Sequence, residues 1–269
     1  MTEPTLQETA QMAIAAGRLP GRIVIVTGGG SNLGRQYCAG LAAEGALVVA
    51  ADIDGAGAAE TAERVNAIFG MERVLGVQAD VTDEASVAGM VSAAVEAFGG
   101  VDVLLNNVGT YPHTNFEDIT YEEWRKVLTV NLDSIFLCSK AVLPVLKERG
   151  GGKIINVATN LVWIGLAGMV HYIAAKGGVV AFTRSLAREL GDFGITVNAI
   201  APGAVPPPVP MEDLAPESVE TLNQIIGHQA IKRPLTPEDL LGAVVFFASP
   251  DSDFISGQIL TVDGGLSNH

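Results

Sequence analysis

The fold is decided by a glycine-rich stretch near the start of the chain, Thr27-Gly28-Gly29-Gly30-Ser31-Asn32-Leu33-Gly34, which completes an apolar run at residues 22–27. Between a strand and a helix, such a turn lets backbone amides approach a pyrophosphate at the helix N-terminus. Gly28 suits the tight turn, Asn32 can adopt the left-handed conformation that glycine more often fills, and Gly34 permits close contact between helix and strand. Taken alone, the motif also fits an ordinary glycine-rich loop.

Six further apolar runs rich in β-branched residues follow, and segments of helical periodicity separate them. The runs cover residues 46–52, 73–79, 101–106, 153–159, 196–201 and 258–262. Residues 82–98 and 121–149 place apolar side chains three and four positions apart, as a helix packed on a sheet requires. Strands that alternate with helices predict an α/β fold: a Rossmann-type, doubly wound, seven-stranded parallel sheet with helices on both faces.

The pattern predicts a single domain over residues 21–269, because no internal repeat and no second block of composition interrupts it. Residues 1–20 show only weak periodicity, and we interpret them as an N-terminal surface arm. Four prolines between residues 206 and 210 disfavour a helix or a central strand there. We therefore expect residues 204–232 to form a loop that covers the substrate as a lid.

Composition and charge exclude several classes of protein. Of 269 residues, 48% are apolar and 17% are charged, which indicates a large core rather than disorder. Sixteen Lys and Arg against 30 Asp and Glu give a net charge of −14, which disfavours nucleic acid and anionic membranes as partners. The four histidines show no metal-ligand spacing, so no metal is expected.

The same features bear on where the protein works. The first residues do not resemble a signal peptide, and no apolar run approaches the ~18 residues of a bilayer span. The two cysteines, Cys38 and Cys138, lie in apolar segments and are expected to be buried thiols. We expect a soluble, cytoplasmic protein.

Two carboxylates end predicted strands, where the ligand crevice of a parallel sheet lies. Asp52 ends the second strand, eighteen residues beyond Gly34, where it can bind the ribose hydroxyls of an adenosine and repel a 2′-phosphate. This favours NAD over NADP. Asp54 is a weaker candidate for the same role, and the alternative interpretation of Asp52 is an exposed residue at the end of a strand. Asp80 closes the third strand and either contacts the adenine or caps the next helix.

Tyr172 and Lys176 are four residues apart, so a helix that begins around His171 places both on one face. A phenol with a pKa near 10 is a poor base at neutral pH, and an adjacent ammonium favours the phenolate. Lowering that pKa by three units corresponds to about 4 kcal/mol. Such a tyrosine can exchange a proton with an alcohol oxygen.

Two more polar residues are candidates for the same site. Thr159 ends the fifth strand, where its hydroxyl can hold a carbonyl oxygen, unless it only bonds back to the chain. Asn131 lies between Val130 and Leu132 in an apolar helix, where an amide needs partners. A satisfied core amide is the alternative.

Together, the ordered motifs resemble the short-chain dehydrogenase/reductase family over residues 22–265. They are the glycine-rich turn, Asp52, Asn106-Asn107-Val108-Gly109, Asn131, Thr159, Tyr172-x-x-x-Lys176 and Pro202-Gly203. The resemblance implies that Tyr172 is the catalytic acid/base and that Lys176 lowers its pKa while holding the nicotinamide ribose. It also implies that Thr159 replaces the usual serine and that Asn131 holds a relay water.

The resemblance further implies NAD as cofactor and a homotetramer built on the helices at 121–149 and 171–193. The residues expected to contact the cofactor are Gly28, Ser31, Asn32, Leu33, Gly34, Asp52, Ile53, Asp80, Val81, Asn107, Gly109, Tyr172, Lys176, Pro202, Gly203 and Val205. The residues expected to line the substrate pocket are Tyr111, Leu161, Trp163, His171 and Val209, although Trp163 is equally suited to packing the core.

The expected reaction is hydride transfer between NAD and a secondary alcohol or ketone, with oxidation favoured. The pocket residues are similar to those of bacterial enzymes that oxidise aryl or cyclic secondary alcohols, or pyridoxal-type rings. Asn32, Thr159 and Pro207 depart from the family pattern, and Pro207 stands where many members have a threonine that binds the carboxamide. A dinucleotide-binding sensor or subunit that has lost its chemistry is therefore one alternative. A reductase of carrier-bound ketoacyl groups is another.

Overall fold

One parallel sheet organises the part of the chain that this computed structural model describes, residues 17–206 and 213–267. Within it the strands are β1 Ile23–Thr27, β2 Leu47–Asp52, β3 Val74–Gln78, β4 Val103–Asn106, β5 Gly152–Val157, β6 Ile195–Pro202 and β7 Ile259–Val262. Their order is β3-β2-β1-β4-β5-β6-β7, and every neighbouring pair is parallel. The predicted doubly wound, seven-stranded sheet is confirmed. The order changes direction between β1 and β4, where such sheets form a ligand crevice at the carboxyl ends of the strands.

Helices cover both faces of this sheet. They are α1 Asn32–Ala43, α2 Gly55–Phe69, α3 Glu84–Phe98, α4 Tyr121–Leu128, α5 Ser134–Glu148, the short α6 Leu161–Ile164, α7 Val170–Leu190, α8 Pro216–His228 and α9 Pro237–Ala248. Alternate residues of β1 enter different cores: Val24 and Val26 pack with α1 and α9, whereas Ile25 packs with α3 and α5. This period of two is what a strand buried on both faces requires.

The two cysteines are divided between these cores. Cys38 is buried among the α1 and α9 side chains, and Cys138 is buried mainly with those of α3 and α5. Burial raises the pKa of both thiols, that of Cys138 to about 12. The prediction of buried thiols is confirmed.

The residues just before β1 are not a surface arm, which corrects the sequence interpretation. Leu19 is fully buried in the core with α1, and its amide donates to the carbonyl of Glu44 over 2.9 Å. Arg18 forms an ion pair with the side chain of Glu44 at 2.8 Å. Burial of one apolar side chain and backbone pairing therefore fix residues 18–21 to the fold, while residues 1–16 lie outside the described residues.

A π-helical turn, Thr129–Asp133, joins α4 and α5 into one helical run, Tyr121–Glu148. By length and composition this run would suit a membrane span, so the expectation that nothing in the chain approaches one was wrong. Packing accounts for its apolar character, because Ile135, Val142 and Leu146 are buried in the cores of this fold.

The segment predicted as a lid loop contains α8. Pro216 occupies the first turn of this helix, where its missing N–H costs nothing, and Leu222 is buried. The prediction of a loop throughout residues 204–232 was therefore wrong over Pro216–His228. Pro207 and Val209 lie outside the described residues.

Candidate active site

The glycine-rich turn has the backbone geometry that its sequence predicts. Gly28 has φ +69°, and a Cβ there would lie 3.1 Å from the side-chain nitrogen of Asn107. A Cβ at Gly34 would collide with the carbonyl oxygen of Gly28. Asn32 adopts φ +42°, so it fills the left-handed position in place of glycine.

The N-terminus of α1 fits an anionic group. Ser31 is the N-cap residue, but its side chain makes no capping hydrogen bond, and both Ser31 and Asn32 are exposed. The first-turn amides of α1 are therefore not capped by that side chain, and helix amides in this position bind phosphate groups. Leu33 faces the other way and packs partly against the core.

Asp52 lies at the end of β2 beside this turn. Its Oδ2 accepts from the Gly30 amide at 2.9 Å, and its Oδ1 accepts from the Asp54 amide at 3.0 Å. Each carboxylate oxygen has a further lone pair, so both can still accept ribose hydroxyls. Ile53 is exposed next to it. Asp54 instead caps α2, where its side chain accepts from the Ala56 amide.

The two candidates after the third strand differ in what they can present to a cofactor. The Asp80 carboxylate accepts from the amide and hydroxyl of Thr82, at 2.9 and 2.6 Å, and α3 is capped by Asp83. The side chain of Val81 is buried in the core with α3 and α5. Val81 can therefore contact a cofactor only through its backbone, whereas both bonds from Thr82 reach Oδ1 of Asp80 and leave its Oδ2 able to accept from a ligand.

The end of β4 connects the turn to the catalytic helix. The Asn107 amide donates to the hydroxyl of Thr27 at 2.9 Å, and its side chain donates to the Thr27 carbonyl, so β1 and β4 are held together at the crevice. A Cβ at Gly109 would lie 3.0 Å from Oδ1 of Asn131 and 3.6 Å from Nζ of Lys176. Gly109 therefore lies directly against two predicted catalytic residues.

Tyr172, Lys176 and Thr159 converge at the same edge of the sheet. The Thr159 side chain lies close enough to the Tyr172 phenol to lower its pKa through hydrogen bonding. Lys176 is only 3% exposed, and its Nζ lies 5.9 Å from the Tyr172 ring centroid while donating to the Val157 carbonyl at 2.7 Å. The first two turns of α7 thus bring the Tyr–Lys pair to the end of β5.

Burial dominates the proton affinities of this pair. Desolvation raises the pKa of Tyr172 to about 12, against an opposing effect of its hydrogen bond with Thr159. Desolvation also lowers the pKa of Lys176 to about 8. Loss of water is thus the largest effect on the tyrosine pKa in the protein without cofactor, and Nζ of Lys176 is directed to the Val157 carbonyl.

Asn131 is fully buried in the π-helical turn. Its side-chain nitrogen donates to the carbonyls of Thr110 and Val127, and its Oδ1 accepts from the Thr110 amide. Protein groups therefore satisfy this amide, as one of the two sequence interpretations proposed. The π-helical turn directs it toward the loop after β4, and such turns often occur at functional sites.

A buried carboxylate that the sequence analysis missed supports the end of β6. Asp263 accepts from the Asn160 side chain at 3.1 Å and from the amide and hydroxyl of Ser267. Asn160 in turn donates its amide to the Pro202 carbonyl, and Gly203 donates to the carbonyl of Val262. The signal available in the sequence was the Asp263-Gly264-Gly265 turn that ends β7. This network fixes Pro202 and Gly203, while Val205 packs partly on the core.

The predicted substrate residues divide into three groups. Tyr111 is 70% exposed, with its ring edge-on to Tyr172 at a centroid distance of 6.1 Å, and Leu161 is partly exposed just after Thr159. Trp163 packs against a core cluster that includes Ile135. His171 is fully buried with its ring toward Glu123, so the prediction that it lines an open pocket was wrong.

This convergence of a phenol, an ammonium and a hydroxyl beside a dinucleotide-type crevice places the chain among oxidoreductases that use a nicotinamide cofactor. Residues 28–267 match the sequence profile of a family described as enoyl-(acyl carrier protein) reductase. The chain belongs to the short-chain dehydrogenase/reductase family, as its motifs predicted.

Known relatives extend over nearly the whole chain. The (2S)-[(R)-hydroxy(phenyl)methyl]succinyl-CoA dehydrogenase subunit BbsD of Thauera aromatica is 38% identical, covering 91% of this chain and 96% of its own. Levodione reductase of Leifsonia aquatica is 36% identical, with coverage of 93% and 96%. A crystal structure from Sinorhizobium meliloti 1021, assigned as a short-chain alcohol dehydrogenase, superposes with a TM-score of 0.85 at 30% identity, covering 92% and 97%.

Proposed function

We propose that this protein is an NAD-dependent oxidoreductase that interconverts a secondary alcohol and a ketone. The observation that carries the proposal is the convergence of the Tyr172 and Thr159 side chains at the end of β5, with Nζ of Lys176 5.9 Å from the Tyr172 ring centroid. Two hydroxyls that reach the same substrate oxygen can hold it by hydrogen bonding and exchange a proton with it.

The described residues fit the cofactor. The amides at the start of α1 would hold the pyrophosphate, Asp52 the adenosine ribose, and Lys176 the nicotinamide ribose. Glycines at positions 28, 30 and 34 let this turn pack closely, because a Cβ at each would crowd Asn107, Asp52 or the Gly28 carbonyl. Bound NAD would supply the hydride acceptor.

Charge at the end of β2 supports NAD rather than NADP. A 2′-phosphate would face the carboxylate of Asp52, and like charges repel. Arg35, in the first turn of α1, is already engaged by Glu60 at 2.6 Å and by the Gly30 carbonyl. Arg35 is therefore not free to bind the 2′-phosphate of NADP beside Asp52.

Tyr172 moves the proton in this scheme. When an alcohol is oxidised, the phenolate takes the hydroxyl proton as the carbon gives up its hydride; in the reverse direction the phenol returns it. Thr159 orients the oxygen by hydrogen bonding. With its pKa at about 12, Tyr172 carries its proton in the protein alone. Oxidation therefore needs the added positive charge of the bound, oxidised nicotinamide to favour the phenolate.

The substrate class is proposed to be an aryl or cyclic secondary alcohol. Residues 101–120, 154–175 and 196–231, which include the segments around the crevice, contain no lysine or arginine. A substrate on a phosphorylated carrier would find no cation from these segments, which argues against the ketoacyl alternative. The names of levodione reductase and of the Sinomonas cyclohexanicum relative, trans-4-hydroxycyclohexanecarboxylate dehydrogenase, refer to ring compounds.

We also propose a cytoplasmic homotetramer. An open groove on the outer side of α5 and α7 is lined by Leu132, Phe136 and Phe182, and Phe136 is about half exposed. Exposed aromatic side chains on a helix pair favour association with a second copy. Sedimentation that finds only a monomer would contradict this assembly.

Tyr172→Phe tests the function. With NAD and a panel of secondary alcohols, absorbance of the reduced nicotinamide should show turnover by the native protein and a loss of about 100-fold or more in the variant, with cofactor binding unchanged. Tyr121→Phe is the matched control, because Tyr121 is exposed at the start of α4. Full turnover by Tyr172→Phe would overturn the proposal, and NAD binding without turnover by the native protein would favour the sensor alternative.

A further inference from the structure

A buried histidine precedes the catalytic tyrosine. His171 lies in the first turn of α7 and has no solvent exposure. Its Nε2 lies 3.1 Å from Oε1 of Glu123, and its Nδ1 is buried without a hydrogen-bond partner among the described residues. Burying an imidazole with one nitrogen unpaired costs free energy. The hydrogen bond from Nε2 to Glu123 is therefore the contact that offsets part of this cost.

Glu123 connects His171 to the loop that follows β4. The same carboxylate oxygen accepts from the Thr114 hydroxyl at 2.7 Å, and the Thr114 amide donates to the Gly168 carbonyl at 2.8 Å. These two donors hold the pKa of Glu123 below its usual value, Thr114 having the larger effect. One carboxylate thus joins α4, the loop that carries Tyr111, and the start of α7.

The start of α7 needs such an anchor. Its N-cap residue is Met169, which makes no side-chain capping hydrogen bond. An uncapped helix terminus frays more readily than a capped one. Tyr172 lies in this first turn, immediately after His171, so the position of its hydroxyl depends on how firmly the turn is held.

The proton on the histidine follows from its neighbours. Glu123 only accepts, so Nε2 must carry a proton, and an imidazolium would leave a charged N–H donor at Nδ1 buried without an acceptor. The neutral tautomer protonated at Nε2 leaves only an unpaired acceptor, which costs less. The contact is then a directed hydrogen bond to a carboxylate, and it fixes the orientation of the ring.

We propose that His171 and Glu123 are positioning residues, which act as one unit to hold the first turn of α7 so that the Tyr172 hydroxyl stays beside Thr159. This inference rests on the proposed function. It adds a second requirement for turnover besides Tyr172 itself: the hydrogen bond between His171 on α7 and Glu123 on α4, two helices that are remote in sequence.

The variants are chosen to separate position from stability. His171→Phe and Glu123→Leu each remove the hydrogen bond, whereas Glu123→Gln keeps an acceptor for Nε2. Glu122→Leu is the matched control, since Glu122 is exposed in the same turn of α4. The turnover rate is divided by the concentration of NAD-binding sites, so that unfolded protein does not lower the measured kcat. Thr114→Val and Glu123→Leu alter partly exposed residues and test the network even where His171→Phe fails to fold.

We expect kcat per site to fall about ten- to hundredfold in His171→Phe and Glu123→Leu, with the Kd for NAD unchanged, because small displacements of a reacting group cost this much. Glu123→Gln and Glu122→Leu should stay within about threefold of the native value, and the double variant should be no worse than either single one. The solvent isotope effect on kcat should rise, because proton transfer by a displaced Tyr172 becomes slow.

Native kcat per site in both His171→Phe and Glu123→Leu, or additive losses in the double variant, would overturn the inference. A role limited to stability would lower the melting temperature without changing kcat per site or the isotope effect, and this outcome would also overturn it. If Tyr172→Phe proves fully active, the proposed function fails on its own, whatever these variants do.

Discussion

The backbone amide of Gly30 donates a hydrogen bond to the carboxylate of Asp52 over 2.9 Å, across the turn between β1 and α1. A Cβ at Gly30 would lie 2.9 Å from that same carboxylate oxygen, so a residue larger than glycine at position 30 would crowd Asp52. One side chain therefore both shapes the phosphate-binding turn and presents negative charge to the adenosine ribose. Cofactor choice and the conformation of the turn are coupled through it.

Asp52→Asn should separate these two roles. The amide oxygen can still accept from Gly30, but the negative charge is gone. We expect the ratio of kcat/KM for NAD to that for NADP to fall about ten- to hundredfold, because the repulsion of a 2′-phosphate is lost. Asp52→Ala should relax the ratio as well and also lower affinity for both cofactors.

Steady-state kinetics with each cofactor measure this ratio. Asp54→Asn is the control, because Asp54 caps α2 and faces the same end of β2 without holding the turn. If the ratio of kcat/KM for NAD to that for NADP is unchanged in Asp52→Asn, the charge of Asp52 does not select the cofactor.

Gly109→Ala should damage activity more than stability. The new methyl group would lie 3.0 Å from Oδ1 of Asn131, which must shift by a few tenths of an ångström, and 3.6 Å from Nζ of Lys176, which is an ordinary contact distance. We expect kcat to fall about tenfold or more, since catalytic groups tolerate little displacement. Stopped-flow and steady-state rates, with urea unfolding of the same samples, measure the two effects.

The matched control is Gly89→Ala in α3. Gly89 is exposed, and a Cβ there meets nothing within 4 Å. This variant should keep full activity and gain about 0.5–1 kcal/mol in the free energy of unfolding, because alanine is the better helix former. If Gly109→Ala retains native kcat, the close contact with Asn131 and Lys176 has no catalytic importance.

Local chemistry explains how much of the fold the sequence predicts. Strands buried on both faces are continuous apolar runs, so each predicted strand lies within a residue or two of the observed one. The left-handed backbone at Asn32 was predicted because few other residues tolerate it. Both signals are contained in a few neighbouring residues.

The misses at His171, Leu19 and Tyr172 depend on contacts between distant segments. His171 adjoins Tyr172 in sequence, but successive helix residues point about 100° apart, and its partner Glu123 is 48 positions away. Leu19 is buried in the core with α1, and its amide is bound by Glu44, 25 positions away. The pKa of Tyr172 was predicted from one neighbouring charge, whereas it is set mainly by loss of water, which only the packed structure defines.

The buried lysine gives the protein an unusual stability profile at alkaline pH. Burial lowers the pKa of Lys176 to about 8 from 10.5, so between these values the unfolded chain binds more protons than the folded one. Stability therefore rises with pH across this window, by up to about 3 kcal/mol. Tyr172 acts oppositely above pH 10: its folded pKa of about 12 exceeds its unfolded value of 10.0, so it makes stability fall there.

Lys176→Met should remove the rise and leave the later fall. We expect urea unfolding to show native protein gaining free energy of unfolding relative to Lys176→Met between about pH 8 and pH 10, because only the native chain carries the buried amine. Lys140→Met is the control, since Lys140 is largely exposed on α5 and its difference from native protein should stay flat with pH. Parallel curves for native protein and Lys176→Met over this range would mean that Lys176 keeps its ordinary pKa, and its ammonium would then be fully charged beside Tyr172 before any cofactor binds.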